Sequence, residues 1–297
     1  MKNYLLLLFI PLFLYCTPQA QNPPFLTNGN ELLDDMKALS SDEMEGRRTG
    51  TEGNKKAQEY LVNAFKSRGI SSWGDDYRHT FSFTTRSGDE MIGTNILAMV
   101  EGKKEDLIVV SAHYDHLGIR DGEIFNGADD DASGTAALLS LASYFKENQP
   151  NHTLVFAAFD AEEMGLRGAR ALAEDSLFME RVAINVNMDM VSNNAANELY
   201  ASGTYHHPEL KPVLERIETG NVKLLFGHDR PEEGYNDWSS SSDHGAFHAK
   251  GKKFIYFGVE DHEHYHKESD EFETITPEFY IEAVITIKNA IEALDKL

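Results

Sequence analysis

The sequence predicts a single α/β domain whose mixed, mainly parallel β-sheet is covered by helices on both faces. Three observations predict it. Five runs, at 96–100, 107–112, 153–158, 182–188 and 254–257, are nearly continuously apolar and rich in β-branched residues, as strands buried on both faces are. Helical stretches separate most of them, which is the rhythm of crossover units. No repeat, low-complexity tract or Pro/Gly/Ser linker divides the 297 residues, so residues 21–297 read as one domain.

Taken in order, residues 22–30 read as a leader into the domain. Residues 55–68 place Ala57, Tyr60, Leu61, Ala64 and Phe65 on one helical face, with Gly69 as the stop. Helices are expected at 134–145, 165–173 and 208–217 between the later strands. The last helix takes Thr276 as N-cap and Pro277 at its first position. It carries Tyr280, Val284, Ile287, Ile291 and Leu294 on one face.

Composition narrows the function. Lys+Arg 27 against Asp+Glu 49 gives a net charge of −22, with 41% apolar residues. That is globular composition, and its charge repels phosphate backbones, so no nucleic-acid partner is expected. No run reaches the roughly 18 apolar residues of a membrane span, so no transmembrane domain is expected. Lys2, an apolar stretch over 4–15 broken by Pro11, and a polar segment containing Ala20 read as an export signal in residues 1–20. The expected destination is periplasmic or extracellular, with lipid anchoring through Cys16 as the lesser alternative. Cys16 is the sole cysteine, so the mature chain has neither a disulfide nor thiol chemistry.

The chemistry lies at strand ends. The run 107–112 leads into His113-Tyr114-Asp115-His116, 153–158 leads into Asp160-Ala161-Glu162-Glu163, and 182–188 ends at Asp189. In open α/β sheets the carboxyl ends of the strands form the binding edge. A fourth acidic run, Asp129-Asp130-Asp131, sits in a turn before a helix. Taken singly, each has a plain structural reading: Asp130 as a turn residue, Glu162-Glu163 as a helix start, Asp189 as a strand end. Together on one edge, unpaired carboxylates would repel and be desolvated, so something cationic must collect them. Histidine plus carboxylate without cysteine is the ligand set of Zn²⁺ or a similar divalent ion in a hydrolytic site.

Four ordered motifs carry a family likeness. They are Ser111-Ala-His113-Tyr-Asp115-His116, Asn126-Gly-Ala-Asp-Asp130-Asp-Ala-Ser-Gly134, Phe159-Asp-Ala-Glu162-Glu163-Met-Gly-Leu-Arg-Gly168 and Asn187-Met-Asp189-Met190. They resemble the co-catalytic dinuclear zinc aminopeptidases, a family that also embraces glutamate carboxypeptidases and glutaminyl cyclases. His264-Tyr-His266-Lys-Glu-Ser-Asp270 is similar to its His-Thr-Pro-x-Asp segment, with Lys267 and Glu268 in place of Thr and Pro. Gly46-Arg47-Arg48-Thr49-Gly50-Thr51 is similar to its N-terminal segment.

The resemblance implies a zinc exopeptidase fold and two Zn²⁺ ions per chain. His113 and Asp189 would hold one, Glu163 and His266 the other, with Asp130 bridging them. It implies Asp115 hydrogen-bonded to the His113 imidazole, Glu162 as general base, and a cis peptide between Asp130 and Asp131. The expected activity is aminopeptidase action on peptides with a free N-terminus, the substrate ammonium lying beside Asp189 and Glu163. A glutaminyl cyclase with one zinc is the nearest alternative. A carboxypeptidase would want basic residues that grip a terminal carboxylate, and only Arg167 and Arg170 lie near a motif; an inactive binding module would have lost ligands or the base, and all six are present. Met190, Trp238, Phe247, Phe257 and Tyr265 are expected as pocket walls.

Two further motifs are set aside. His262-Glu263-His264-Tyr265-His266 matches His-Glu-x-x-His, but that motif works only on a helix, and its surroundings read as a loop. Ser239–Ser242 beside Asp243-His244 lacks the Gly-x-Ser-x-Gly elbow of a serine hydrolase; Asp243 is expected to cap a short helix. Asn151-His152-Thr153 matches a glycosylation sequon at the start of a strand.

Overall fold

The five apolar runs form the spine of a nine-stranded sheet in the computed structural model of the chain, which describes Phe25 and residues 29–297. The expected export signal and Cys16 lie outside the described residues. In chain order the strands are β1 (Ser71–Ser72), β2 (Arg78–Thr84), β3 (Glu90–Val100), β4 (Lys104–His113), β5 (Gly118–Arg120), β6 (Glu123–Phe125), β7 (His152–Phe159), β8 (Val182–Met188), β9 (Glu198–Ser202), β10 (Lys223–Leu225) and β11 (Lys253–Gly258). The helices are α1 (Asn30–Leu39), α2 (Glu52–Ser67), α3 (Gly134–Glu147), α4 (Arg167–Ala173), α5 (Ser176–Arg181), α6 (Lys211–Leu214), α7 (His244–Ala249) and α8 (Pro277–Leu294).

The sheet order is β1-β3-β7-β4-β8-β11-β9-β10, with β2 also on β3 and β5–β6 a separate hairpin. The central β7, β4, β8 and β11 run parallel, while β3 joins β7 and β9 joins β11 antiparallel. Alternation along these strands builds two cores. Ile108, Val110 and Ala112 of β4 pack with α1, α2, α3 and α8. Leu107 and Val109 face the other way, into the core that α4, α5 and α7 complete. Helices therefore cover both faces of the central strands, and apolar runs were the right signal because those strands are buried on both faces.

The register sets the site. His113 pairs with Phe159, and Ser111 with Asn187, so the residues following β7 and β8 emerge level with His113. Met188 pairs with Phe257, which brings the segment after β11 to the same edge.

Some elements differ from expectation. The helix expected at 208–217 contracts to the single turn α6, because Pro212 removes a donor and restricts Lys211 before it. Helix α2 begins earlier than residue 55, since the Asn54 amide donates to the Thr51 hydroxyl at 3.3 Å and anchors its first turn. Asp243 does stand before α7, but its carboxylate makes no capping bond, and both oxygens lack partners among the described residues. Burial pushes that carboxyl up to about 7. Strands β1, β2, β5, β6, β9 and β10 and helices α1 and α5 are additions.

Candidate functional site

Four loops leaving one sheet edge converge. His113 ends β4. Its Nδ1 lies 3.0 Å from the Asp115 main-chain oxygen and donates to it, which leaves Nε2 facing the site. That Nε2 is 3.2 Å from Asp130 Oδ1 and 3.5 Å from Asp189 Oδ1. The other Asp130 oxygen, Oδ2, is 3.1 Å from His266 Nε2, which stands 3.5 Å from Glu163 Oε1. Asp130 thus turns one oxygen to each of two donor groups. The Asp130–Asp131 peptide is cis. The Glu162 side chain makes no hydrogen bond or ion pair among the described residues and borders the cleft.

Neighbouring carboxylates hold the backbone that carries these side chains. Asp131 accepts from the amides of His113, Gly134 and Met190 at 3.1, 2.9 and 3.3 Å. Asp270 accepts from Asp129 and Asp130 at 3.0 and 3.1 Å. Asp129 accepts from the amide and hydroxyl of Ser192, both at 2.7 Å, and pairs with His262 Nε2 at 2.9 Å. Asp115 accepts from the His113 ring through its main-chain carbonyl at 3.0 Å, with its Oδ1 3.8 Å from the same Nδ1, and its carboxylate accepts from the Glu162 and Glu163 amides at 3.0 and 3.4 Å.

Electrostatics show what the cluster lacks. Burial would push the His113 ring down, but the Asp189 and Glu162 charges and hydrogen bonds to Asp130 and Asp189 hold it well above the usual histidine range. Against burial, Asp130 and Glu163 likewise lift His266 to about 10. Burial and Asp130 push Glu163 up, yet His116 and His266 outweigh them and hold it at about 2. Burial, with repulsion from Asp189, Asp243 and Glu163, raises Glu162 well above the carboxylate range despite His113. No Lys or Arg side chain pairs with these carboxylates among the described residues, so imidazolium protons do the neutralising. Divalent ions would supply that charge and require the rings neutral. The nitrogen and oxygen donors, without sulfur, fit Zn²⁺ or a similar ion.

Two residues escaped the sequence reading. His116 joins Asp130 and Glu163 in a group whose donor atoms lie within 4.8 Å of one another, beside the group of His113, Asp130 and Asp189. Its signal was present in the His113–His116 run but gave no reason to choose it. Arg47 is fully buried and donates to the carbonyls of Tyr114, Leu39, Asn126 and Gly127 at 2.7, 2.7, 2.5 and 2.9 Å. It clamps the His113 loop to the Asp130 loop. Arg47→Met leaves these carbonyls unmet and removes a cation beneath Asp130 and Asp131. Stability should fall by about 3–5 kcal/mol, read from the urea midpoint of unfolding.

The cleft over the site measures about 480 Å³ and is bounded by Arg86, Arg170, Met190, Trp238, Tyr256 and Tyr265 among others. Phe247 and Phe257, expected as walls, are wholly buried in the two cores instead. Arg167 turns its Nε to the Met164 carbonyl at 3.0 Å. Residues 262–266 form a turn rather than a helix, so the His-Glu-x-x-His match cannot place two imidazoles on one helical face.

Comparison with known proteins bears on this arrangement. The chain is 30% identical over 214 residues to aminopeptidase YwaD of Bacillus subtilis, a match covering 66% of this chain and 42% of that protein. It is 28% identical over 234 residues to a vacuolar membrane protease of Schizosaccharomyces pombe, covering 74% and 26% respectively. It therefore spans less than half the length of these two relatives. Among solved structures, a zinc aminopeptidase from Bacillus subtilis superposes with a TM-score of 0.70 at 19% identity, covering 91% of this chain and 96% of that one. Glutaminyl cyclase of Porphyromonas gingivalis gives 0.72 at 17% identity, covering 89% and 97%. These two likenesses establish the zinc exopeptidase fold. The profile of Peptidase family M28 matches residues 95–291, a span that runs from β3 through α8 and contains every donor that meets at the sheet edge, and on that match the chain belongs to peptidase family M28.

Proposed function

We propose that the protein is an exported zinc-dependent aminopeptidase that removes residues from peptide N-termini. The observation that carries this reading is Asp130, with one oxygen toward His113 and Asp189 and the other toward Glu163 and His266. His113 and Asp189 would hold one Zn²⁺, Glu163 and His266 the other, and Asp130 both. A pair of such ions supplies Lewis-acid polarisation of the scissile carbonyl and a water acidified toward neutral pH. Glu162, whose side chain makes no hydrogen bond among the described residues and borders the cleft, takes the proton of the attacking water and returns it to the leaving amine. The acidic rim that includes Asp189, Glu260 and Asp261 suits a free α-ammonium group. Met190, Trp238, Tyr256 and Tyr265 suit an apolar first side chain. The charged start and apolar stretch of residues 1–20 support export.

Metal analysis joined to a substrate panel tests this. The purified protein should carry two zinc ions and hydrolyse aminoacyl amides, fastest with Leu, Met or Phe first, but not N-acetylated peptides. One ion per chain, with cyclisation of N-terminal glutamine, would replace the reading by that of a glutaminyl cyclase.

A further inference from the structure

His116 stands in the turn that leaves β4, and its side chain is fully buried. Neither ring nitrogen makes a hydrogen bond among the described residues, and neither does Glu163 Oε1. Yet His116 Nδ1 and Glu163 Oε1 are 2.9 Å apart. Buried polar atoms without partners are rare and costly. Two that face each other without an aligned proton suit a cation between them. The ring is also held in place: it lies against Gly127, at φ +55, where a Cβ would stand 2.5 Å from the imidazole.

Spacing points the same way. Four donors held about 2.0–2.1 Å from one ion at tetrahedral angles lie about 3.3 Å from each other. His116 Nδ1 is 2.9 Å from Glu163 Oε1 and 3.7 Å from Asp130 Oδ2, and His266 Nε2 is 3.1 Å from Asp130 Oδ2 and 3.5 Å from Glu163 Oε1. These separations bracket the tetrahedral value.

We propose that His116 Nδ1 is a direct metal ligand, completing a four-donor position with Asp130, Glu163 and His266. This rests on the two-ion reading above. It makes the two positions unequal. Both positions border the cleft, but that of His113, Asp130 and Asp189 has three protein donors and keeps a coordination place free, as a catalytic position does, whereas the other is filled by four. Within the closed position the His266 side chain is 41% exposed on a turn, while those of His116, Asp130 and Glu163 are at most 12% exposed. His116 should therefore govern retention of that ion more than His266 does.

The test is a titration of metal-free protein with Zn²⁺ against a chromophoric chelator. Wild type should show a tight and a weaker ion. His116→Ala and His116→Gln should weaken the tight one at least about 100-fold, beyond the 10–100-fold typical of residues that merely orient a ligand. The weaker ion should be unchanged, and His266→Ala should cost less than His116→Ala. Wild-type crystals grown with zinc give a readout independent of variant folding, since anomalous scattering should place an ion about 2.0–2.2 Å from His116 Nδ1. Two ions bound by wild type and both His116 variants with equal constants, or an ion beyond 3 Å from Nδ1, would overturn this inference alone. Wild type that binds no zinc would overturn the peptidase reading beneath it.

Discussion

Asp130→Ala should weaken both of the proposed zinc ions at once, so that two no longer bind together, and lower peptide hydrolysis by at least about 10⁴-fold, more than loss of a general base alone. The carboxylate is buried, and its two oxygens diverge toward separate donor groups. Without it, His113 keeps only Asp189, and the second group keeps Glu163 with two imidazoles. Neither set includes a shared anion to offset the repulsion between neighbouring dications. The backbone should survive, because its supports are Asp131, Asp129, Asp270 and Arg47 rather than Asp130 itself. Metal content by atomic absorption, beside a far-ultraviolet spectrum like wild type, checks this. A variant that retained two ions at wild-type affinity would show that Asp130 does not bridge them.

How much of this was legible follows from where the information resides. The strands could be read because burial on both faces leaves an apolar run, and a run that stops at His, Glu or Asp marks the sheet edge. The register that levels His113 with Phe159 and Ser111 with Asn187 is written nowhere locally, but parallel pairing of neighbouring runs makes it the natural outcome. His116 was hidden because the chain turns after His113, and only the turn decides whether the later imidazole returns to the site. Arg47 was hidden beside Arg48, since burial of one and exposure of the other depends on left-handed backbone at Gly46 and Arg47. The same kind of turn appears at Ala161, Met190 and His266, positions at or next to proposed site residues where tertiary contacts overrule local preference. Strand β2 did carry a local signal, the alternation of Phe81 and Phe83. It pairs only with β3 and remains largely exposed, so it lacks the continuous apolar run that marks the central strands.

Glu162→Gln should leave zinc content at two and lower turnover by about 10²–10⁴-fold, with little change in KM. The amide keeps the shape of the side chain but cannot accept the water's proton. No donor of either proposed ion is lost, since Glu162 lies outside both candidate donor groups. Glu163→Gln should behave otherwise. Its Oε1 is within 2.9 Å of His116 Nδ1 and 3.5 Å of His266 Nε2, so replacing the anion weakens one ion as well as the rate. Excess zinc should then restore part of the activity of Glu163→Gln and none of that of Glu162→Gln. Adjacent residues can divide the work this way because both amides are pinned by Asp115 while their side chains diverge, one to the donor cluster and one to the cleft. Loss of metal from Glu162→Gln, with metal kept and rate lost in Glu163→Gln, would exchange the two roles. Unchanged hydrolysis in both variants would remove the general base, and with it the proposed route for the proton from water to the leaving amine.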